Sequence, residues 1–133
     1  MISLLDTNVI VRFLTENNEE KFKGVYDFFQ DIQQGKITVE LKLIVLFQTI
    51  FVLKSFYKVP KIQIVKAMKG LLKFKGLKIT DKKTVVSMMD IWDSNNIEIV
   101  DAYLIACLEK NSQNILHSYD KDFDKFKIKR HEP

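Results

Sequence analysis

Hydrophobic residues follow two spacings along this chain, and each spacing predicts a different kind of secondary structure. Apolar residues three or four positions apart predict helices, whereas short apolar or β-branched runs predict strands. The predicted helices are residues 7–14, 19–35, 43–57, 60–74, 82–94 and 100–111, with a helical turn at 121–126. The predicted strands are residues 2–6, 36–39, 77–80 and 114–120, with a last extended piece at 127–130. This alternation predicts one α/β domain over residues 1–133, with a mainly parallel central sheet and helices on both faces.

The ends of several predicted helices are marked by residues that favour starts and stops. Gly35 follows the second helix, Pro60 separates the third from the fourth, and Asp81 precedes the fifth. The third helix, "LIVLFQTIFVLKSFY", is apolar on nearly every side, which predicts burial on most of its surface. Gln48 is the amide in the middle of that helix, and its role cannot be decided from its neighbours.

The composition is that of a folded globular protein. Hydrophobic residues make up 47% of the 133 residues, with only 4 Gly and 2 Pro, so a hydrophobic core is expected. Cys107 is the single cysteine, which excludes an intramolecular disulfide and a cysteine metal cluster. The first residues lack the basic segment of a signal peptide, and no apolar run approaches the about 20 residues that span a bilayer. We therefore expect a cytoplasmic protein without a membrane segment.

Positive charge is concentrated in two stretches of the chain. The formal net charge is +4, and residues 54–83 hold ten lysines and a single acid, Asp81. A second basic cluster, "KFKIKR", occupies residues 125–130. Such clusters favour a polyanion such as nucleic acid as partner, but ordinary solvated lysines explain them equally well on charge alone.

Three aspartates lie at the ends of predicted strands or at the start of a predicted helix, where active sites of α/β proteins form. Asp6 and Asp120 each end a predicted strand, and Asp101 opens a predicted helix. If the two strands are neighbours in a parallel sheet, these carboxylates meet at its carboxyl edge, where α/β sheets bind ligands. Converging carboxylates need a cation, and Mg²⁺ or Mn²⁺ with its bound water could then hydrolyse a phosphodiester. Taken singly, each aspartate could also be a helix or turn cap.

Three motifs in this order give the chain a family resemblance. "LLDTNVIVRFL" at the start, "VDAYLIACL" later and "ILHSYDKDF" near the end resemble the PIN domain, most closely the VapC-type toxin ribonucleases of toxin–antitoxin pairs. The agreement extends over essentially the whole chain. The resemblance implies a PIN-like three-layer fold and a metal-dependent endoribonuclease. It also implies an antitoxin protein as partner and a homodimer.

The resemblance carries over residue by residue. It implies that Asp6, Asp101 and Asp120 are the catalytic carboxylates and bind Mg²⁺ or Mn²⁺. The positions that it implies as supporting residues are Thr7, Asn8, Ser118 and, less centrally, Asp122.

Position 48 departs from the family pattern, because the family has a glutamate where this chain has Gln48. An amide oxygen carries no negative charge, so Mg²⁺ affinity should fall and a second metal ion is less expected. Glu40 and Glu98 are the acids that could compensate. The alternative to an active nuclease is a PIN-fold RNA- or protein-binding module whose site is weakened by Gln48.

A third class, the α/β domains that accept a phosphoryl group on aspartate, is not supported. Those domains need an acidic pair or an Asp-x-Asp sequence after the first strand, and "DTN" supplies neither.

Overall fold

The computed structural model describes residues 1–16 and 19–133. It is a mixed helix and strand structure, 57% helical. The chain divides into two compact units, Met1–Lys82 and Lys83–Pro133, which we call the N-terminal unit and the C-terminal unit.

Within its described residues, 1–16 and 19–82, the N-terminal unit contains four α-helices, a short 3₁₀ helix and two short strands. In chain order they are α1 (Thr7–Leu14), the 3₁₀ helix Glu20–Phe22, α2 (Gly24–Gln34), β1 (Val39–Glu40), α3 (Leu43–Ser55), α4 (Lys61–Leu72) and β2 (Leu77–Lys78). Helix α1 packs against both α2 and α3, and α3 packs against α4. The rings of Phe13 and Phe29 stack at 4.1 Å between centroids, which joins α1 to α2.

The C-terminal unit contains two α-helices, a 3₁₀ helix and two strands. They are α5 (Lys82–Ser94, which starts at the unit boundary), α6 (Ile99–Leu108), β3 (Ile115–His117), the 3₁₀ helix Lys121–Lys125 and β4 (Lys129–His131). Its buried side chains come from both helices and the 3₁₀ turn, and include Met88, Trp92, Ala102, Ile105 and Phe123.

The strands form two small parallel sheets. In the N-terminal unit Val39 pairs with Leu77, and Leu4 adds an isolated parallel bridge to Glu40. In the C-terminal unit β3 pairs with β4, with Ile115 opposite Lys129. The expected parallel direction is therefore observed in each pair, whereas one central sheet in a three-layer arrangement stays a prediction.

Several predicted elements are shorter than expected, and two of them differ most. The predicted strand 2–6 is reduced to the single bridge at Leu4, because only two backbone hydrogen bonds join this stretch to Glu40, before α1 begins. The predicted helix 19–35 is divided into the 3₁₀ turn and α2. Its end is as predicted, since Gly35 adopts a left-handed conformation with φ +81°.

Helix α3 is less buried than its composition predicts. Residues Leu46, Thr49, Ile50 and Leu53 form its buried face. Ile44 and Phe51 are 79% and 68% exposed, and Gln48 on the same side is exposed too. The expectation of burial on most sides was wrong, because an apolar sequence does not by itself determine which faces meet another element.

None of the helices that the described residues form is both long and apolar enough to cross a membrane.

Candidate functional site

Asp6 lies at the beginning of α1, where it serves as the N-cap. Its backbone is extended, and its carboxylate Oδ1 accepts a hydrogen bond of 2.9 Å from the backbone N–H of Thr7. An aspartate at this position is stabilised by the unpaired N–H groups and the dipole of the helix. The motif "DTN" therefore holds one exposed carboxylate at a fixed place at the end of the helix.

Thr7 connects the Asp6 end of α1 to α3. Its hydroxyl donates a hydrogen bond of 2.7 Å to Oε1 of Gln48, and the threonine side chain is itself buried. Since a threonine hydroxyl can donate to an amide oxygen or to a carboxylate oxygen, this contact does not require an amide at position 48. The hydrogen bond with Thr7 thus places Gln48 close to Asp6, and its side chain is not buried among the apolar residues of the core.

A cleft of about 340 Å³ runs along this part of the N-terminal unit. Four residues singled out by the sequence line it together: Asp6, Thr7, Asn8 and Gln48. Arg12, one helical turn further along α1, contributes a positive charge to the same wall. We call this the Asp6 cleft.

Asp101 and Asp120 are brought together in the C-terminal unit. Asp101 lies in the first turn of α6, and Asp120 caps the 3₁₀ helix that follows β3. The Oδ1 atom of Asp120 accepts a hydrogen bond of 2.9 Å from the backbone N–H of Asp122. The Asp120 N–H in turn donates to the hydroxyl oxygen of Ser118 at 3.0 Å. Ser118 and Asp122 thus hold Asp120 in the turn by hydrogen bonds.

Four acids line a cleft of about 290 Å³ in this unit, which we call the Asp101 cleft. They are Glu98, Asp101, Asp120 and Asp122. Burial raises the pKa of Asp101 above its ordinary value, and the nearby charges of Asp120 and Glu98 raise this pKa further. The carboxylates of this cleft therefore repel one another, which is the condition that a bound cation relieves.

The donor atoms of both clefts are of the type that a hard divalent cation prefers. Carboxylate and amide oxygens suit Mg²⁺ and Mn²⁺, and the raised pKa of Asp101 marks a place where positive charge would be stabilising. Within residues 1–16 and 19–133, however, no three His, Cys, Asp or Glu side chains form a group that could hold a metal ion. A joint site of Asp6, Asp101 and Asp120 stays a prediction.

Two acids that could replace the missing glutamate have different surroundings. Glu40 forms an ion pair of 2.7 Å with Lys42. Glu98 lines the Asp101 cleft and acts electrostatically on Asp101. Glu98 lies three residues before Asp101, and residues at this spacing are neighbours on a helix surface. This spacing is the sequence signal that places Glu98 near Asp101.

Arg130 does not have the role that the basic cluster 125–130 suggested. Its Nε and Nη2 donate to the two carboxylate oxygens of Asp124 at 2.9 and 3.0 Å. Its Nη1 donates to Glu132 at 2.8 Å and to the backbone carbonyl of Ser118 at 3.0 Å. Hydrogen bonding from Arg130 holds the pKa of Asp124 below its usual range. The guanidinium is therefore engaged in fixing the turn that carries Asp120, and is not a free phosphate ligand.

A family model for the PIN domain matches residues 3–129, and the chain therefore belongs to the PIN domain family. The matched region includes both units. PIN domains are generally a nuclease-type fold, and PIN nucleases bind RNA. No curated protein matches the chain.

Proposed function

We propose that this protein is a metal-dependent endoribonuclease that hydrolyses phosphodiester bonds in single-stranded or looped RNA. The observation that carries the proposal is the Asp101 cleft, which Asp101 and Asp120 line together. Burial, and then the charges of Asp120 and Glu98, raise the pKa of Asp101 there. Membership of a nuclease-type family over residues 3–129 gives this cluster its chemical context.

The proposed metal ligands are Asp6, Asp101 and Asp120, with Mg²⁺ or Mn²⁺ as the ion. When bound, the ion would activate water and stabilise negative charge on the phosphate and the leaving oxygen. The chain's own contribution is to hold the carboxylates in place. Asp6 is fixed as the cap of α1, and Asp120 is fixed by the turn that Ser118 and Asp122 close.

We further propose that the protein is the VapC-type toxin of a toxin–antitoxin pair and is cytoplasmic. The motifs "DTN", "DAYLIA" and "SYDKDF" support this subfamily. An antitoxin and a second copy of the chain are the proposed protein partners. The exposed apolar side chains Ile44, Phe51, Phe56 and Ile62 provide apolar surface for such contacts.

We also propose that residues 1–133 form a single PIN domain. The family match runs through both units without interruption, which supports this proposal.

The experiment that tests the nuclease proposal is the substitution Asp6→Asn. Asparagine also caps helices, so α1 should be retained while one carboxylate is lost. We expect RNA cleavage in Mg²⁺ or Mn²⁺ to fall at least about 100-fold, because a ligand charge is removed. The matched control is Asp27→Asn on the exposed surface of α2, which should leave cleavage unchanged.

Cleavage by Asp6→Asn at the wild-type rate would overturn the assignment of Asp6. Wild-type cleavage that persists in excess EDTA would overturn metal dependence.

The second candidate is an RNA- or protein-binding module on the same fold. It is favoured by Gln48, whose neutral amide takes the place of a family carboxylate and already accepts the Thr7 hydroxyl. This candidate predicts that the wild-type protein binds a short RNA but leaves it intact in both Mg²⁺ and Mn²⁺.

A further inference from the structure

Arg12 is an arginine with a buried nitrogen and no acidic partner in the part of the chain that the structure describes. It lies on α1, one helical turn beyond Asn8, and its Nε is buried without a hydrogen-bond partner among the described residues. The ion pairs formed within residues 1–16 and 19–133 do not include Arg12. A guanidinium is always charged at neutral pH and donates five N–H groups, so a site that leaves it unpaired favours an anionic ligand.

The position of Arg12 is fixed by an aromatic ring. Its guanidinium carbon lies 4.4 Å from the centroid of the Phe22 ring, and the ammonium nitrogen of Lys21 lies 5.1 Å from the same centroid. Phe22 therefore holds two cations close together through cation–π contacts. Lys21 also approaches Glu19, but at 3.7 Å and largely exposed, which is a weak interaction.

Arg12 is shared by two clefts of the N-terminal unit. It lines the Asp6 cleft, and it lines a second cleft of about 580 Å³ together with Lys21, Phe22 and Phe28. Asn8 also belongs to both. An RNA strand with one phosphate in the Asp6 cleft would pass Arg12 and enter the second cleft. Cations and aromatic side chains lie next to each other there. Phosphates and bases are the groups that such a surface contacts.

We propose that this second cleft is a subsite for the nucleotide next to the one attacked, with Arg12 binding its phosphate and Lys21 assisting. The inference rests on the proposed function, since it takes RNA as the ligand. It distinguishes Arg12 from the lysines of residues 54–83, most of which are exposed and provide only diffuse attraction. It also distinguishes Arg12 from Arg130, which is occupied by Asp124 and Glu132.

The test measures RNA binding apart from cleavage. A fluorescein-labelled single-stranded RNA of mixed sequence is titrated in EDTA over a series of salt concentrations, with wild type, Arg12→Gln, Lys21→Gln and the control Lys23→Gln. Lys23 is exposed and pairs with Glu20 at 3.0 Å. We expect Arg12→Gln to raise Kd roughly 5- to 10-fold and to lower the salt slope by about 0.7. Lys21→Gln should raise Kd about 2-fold, and Lys23→Gln should leave it unchanged.

Cleavage kinetics in Mg²⁺ provide the second readout. Arg12→Gln should raise KM and leave kcat within about twofold, because the lost contact is to a phosphate away from the bond that is cut. Arg12→Lys should recover only part of the affinity, since lysine lacks the planar fork of arginine.

Three outcomes would overturn the subsite: an unchanged Kd in Arg12→Gln, an unchanged Kd in Lys21→Gln, or an equal loss in Lys23→Gln. The Lys21→Gln result decides the matter if Arg12→Gln fails to fold. The proposed function can fail independently of the subsite. A wild-type protein that cuts no RNA but binds it through Arg12 would contradict the nuclease proposal and support the Arg12 subsite.

Discussion

The two acidic regions of this molecule use the same local device in different electrostatic settings. Asp6 caps α1 and Asp120 caps a 3₁₀ turn, and in both the carboxylate is held by a backbone N–H at 2.9 Å. In the Asp6 cleft the neighbouring polar group is the neutral amide of Gln48. In the Asp101 cleft the neighbours are carboxylates, and the pKa of Asp101 is raised.

The difference shows which of the two regions disfavours a carboxylate charge. Caps place a carboxylate but do not make it unstable, since the helix end itself stabilises the charge. Crowding of like charges does make it unstable. The C-terminal unit therefore holds a carboxyl group, Asp101, whose charge is disfavoured by burial and by its acidic neighbours, whereas Asp6 in the N-terminal unit lies near a neutral amide.

The largest expected effect concerns whether these two regions belong to one cooperative domain. A side-chain carbon added at Gly76 would lie 1.9 Å from the backbone oxygen of Ile37 and 2.8 Å from that of Ile32. Gly76→Ala should therefore force backbone apart in the N-terminal unit and lower Tm by roughly 10 °C. Trp92, the single tryptophan, lies in the C-terminal unit and reports on it by fluorescence. We expect its transition to fall together with the transition seen by far-UV circular dichroism.

The control is Gly70→Ala, where the added carbon meets nothing within 4 Å. Because Gly70 lies inside α4, this substitution should raise stability by about 1 kcal/mol. A Trp92 transition that stays at the wild-type temperature in Gly76→Ala would show that the units unfold separately, against a single domain.

Gln48→Glu removes the main difference between the two clefts. The Thr7 hydroxyl can donate to the new carboxylate, so the fold should be retained. Mg²⁺ affinity and RNA cleavage should each rise about 10-fold, since a hard ligand charge is added beside Asp6. Isothermal titration with Mg²⁺ and a cleavage assay measure the two quantities. Gln34→Glu, exposed at the end of α2, is the matched control.

If neither quantity changes in Gln48→Glu, position 48 does not take part in metal binding. If metal affinity rises and cleavage stays absent, the protein is better described as a binding module.

The smallest effect is a stability change in the absence of metal. The pKa of Asp101 is raised in the folded state, so between its unfolded and folded pKa values the native protein binds more protons than the unfolded chain. Stability from this group is present below the unfolded pKa and is lost as pH rises through the folded pKa. Asp101→Asn should therefore raise Tm at pH 7 in EDTA, by about 1 °C because the group is partly exposed.

This gain should disappear below about pH 3.9, where the wild-type carboxyl is protonated in both states. Asp93→Asn, on the exposed surface of α5, should show no such pH-dependent gain. A lower Tm of Asp101→Asn at pH 7 in EDTA would mean that the Asp101 charge stabilises the metal-free fold.

Local signals in the sequence were sufficient for much of the fold. Residues 7–14 form α1 as predicted from their apolar spacing, and the structure shows Asp6 as its N-cap. Gly35 ends α2 and Pro60 begins α4 as predicted, whereas α3 already ends at Ser55, before Pro60. Local signals do not determine how many residues of a strand pair with a neighbouring strand. The predicted strand 2–6 therefore forms only one bridge, at Leu4, among the described residues.

The candidate site was predictable in its parts. The sequence predicted Asp6, Asp101 and Asp120 as site residues, and the structure places Asp101 near Asp120. It did not identify Arg12. The surroundings of Arg12 depend on the ring of Phe22, ten residues later, and apolar spacing does not predict that this ring packs against α1. It also overrated Arg130, because a count of charges does not show which cations are already neutralised.

The hydrogen bond between Thr7 and Gln48 has a consequence in genetic terms. Both codons for glutamine differ from a codon for glutamate by their first base alone, and the hydroxyl of Thr7 accommodates either side chain. A negative charge at position 48 is thus one base change away, at a site where the Thr7 hydroxyl can donate to either side chain. A lineage carrying this protein could lose or regain the carboxylate in a single mutational step, without any compensating change elsewhere in the gene.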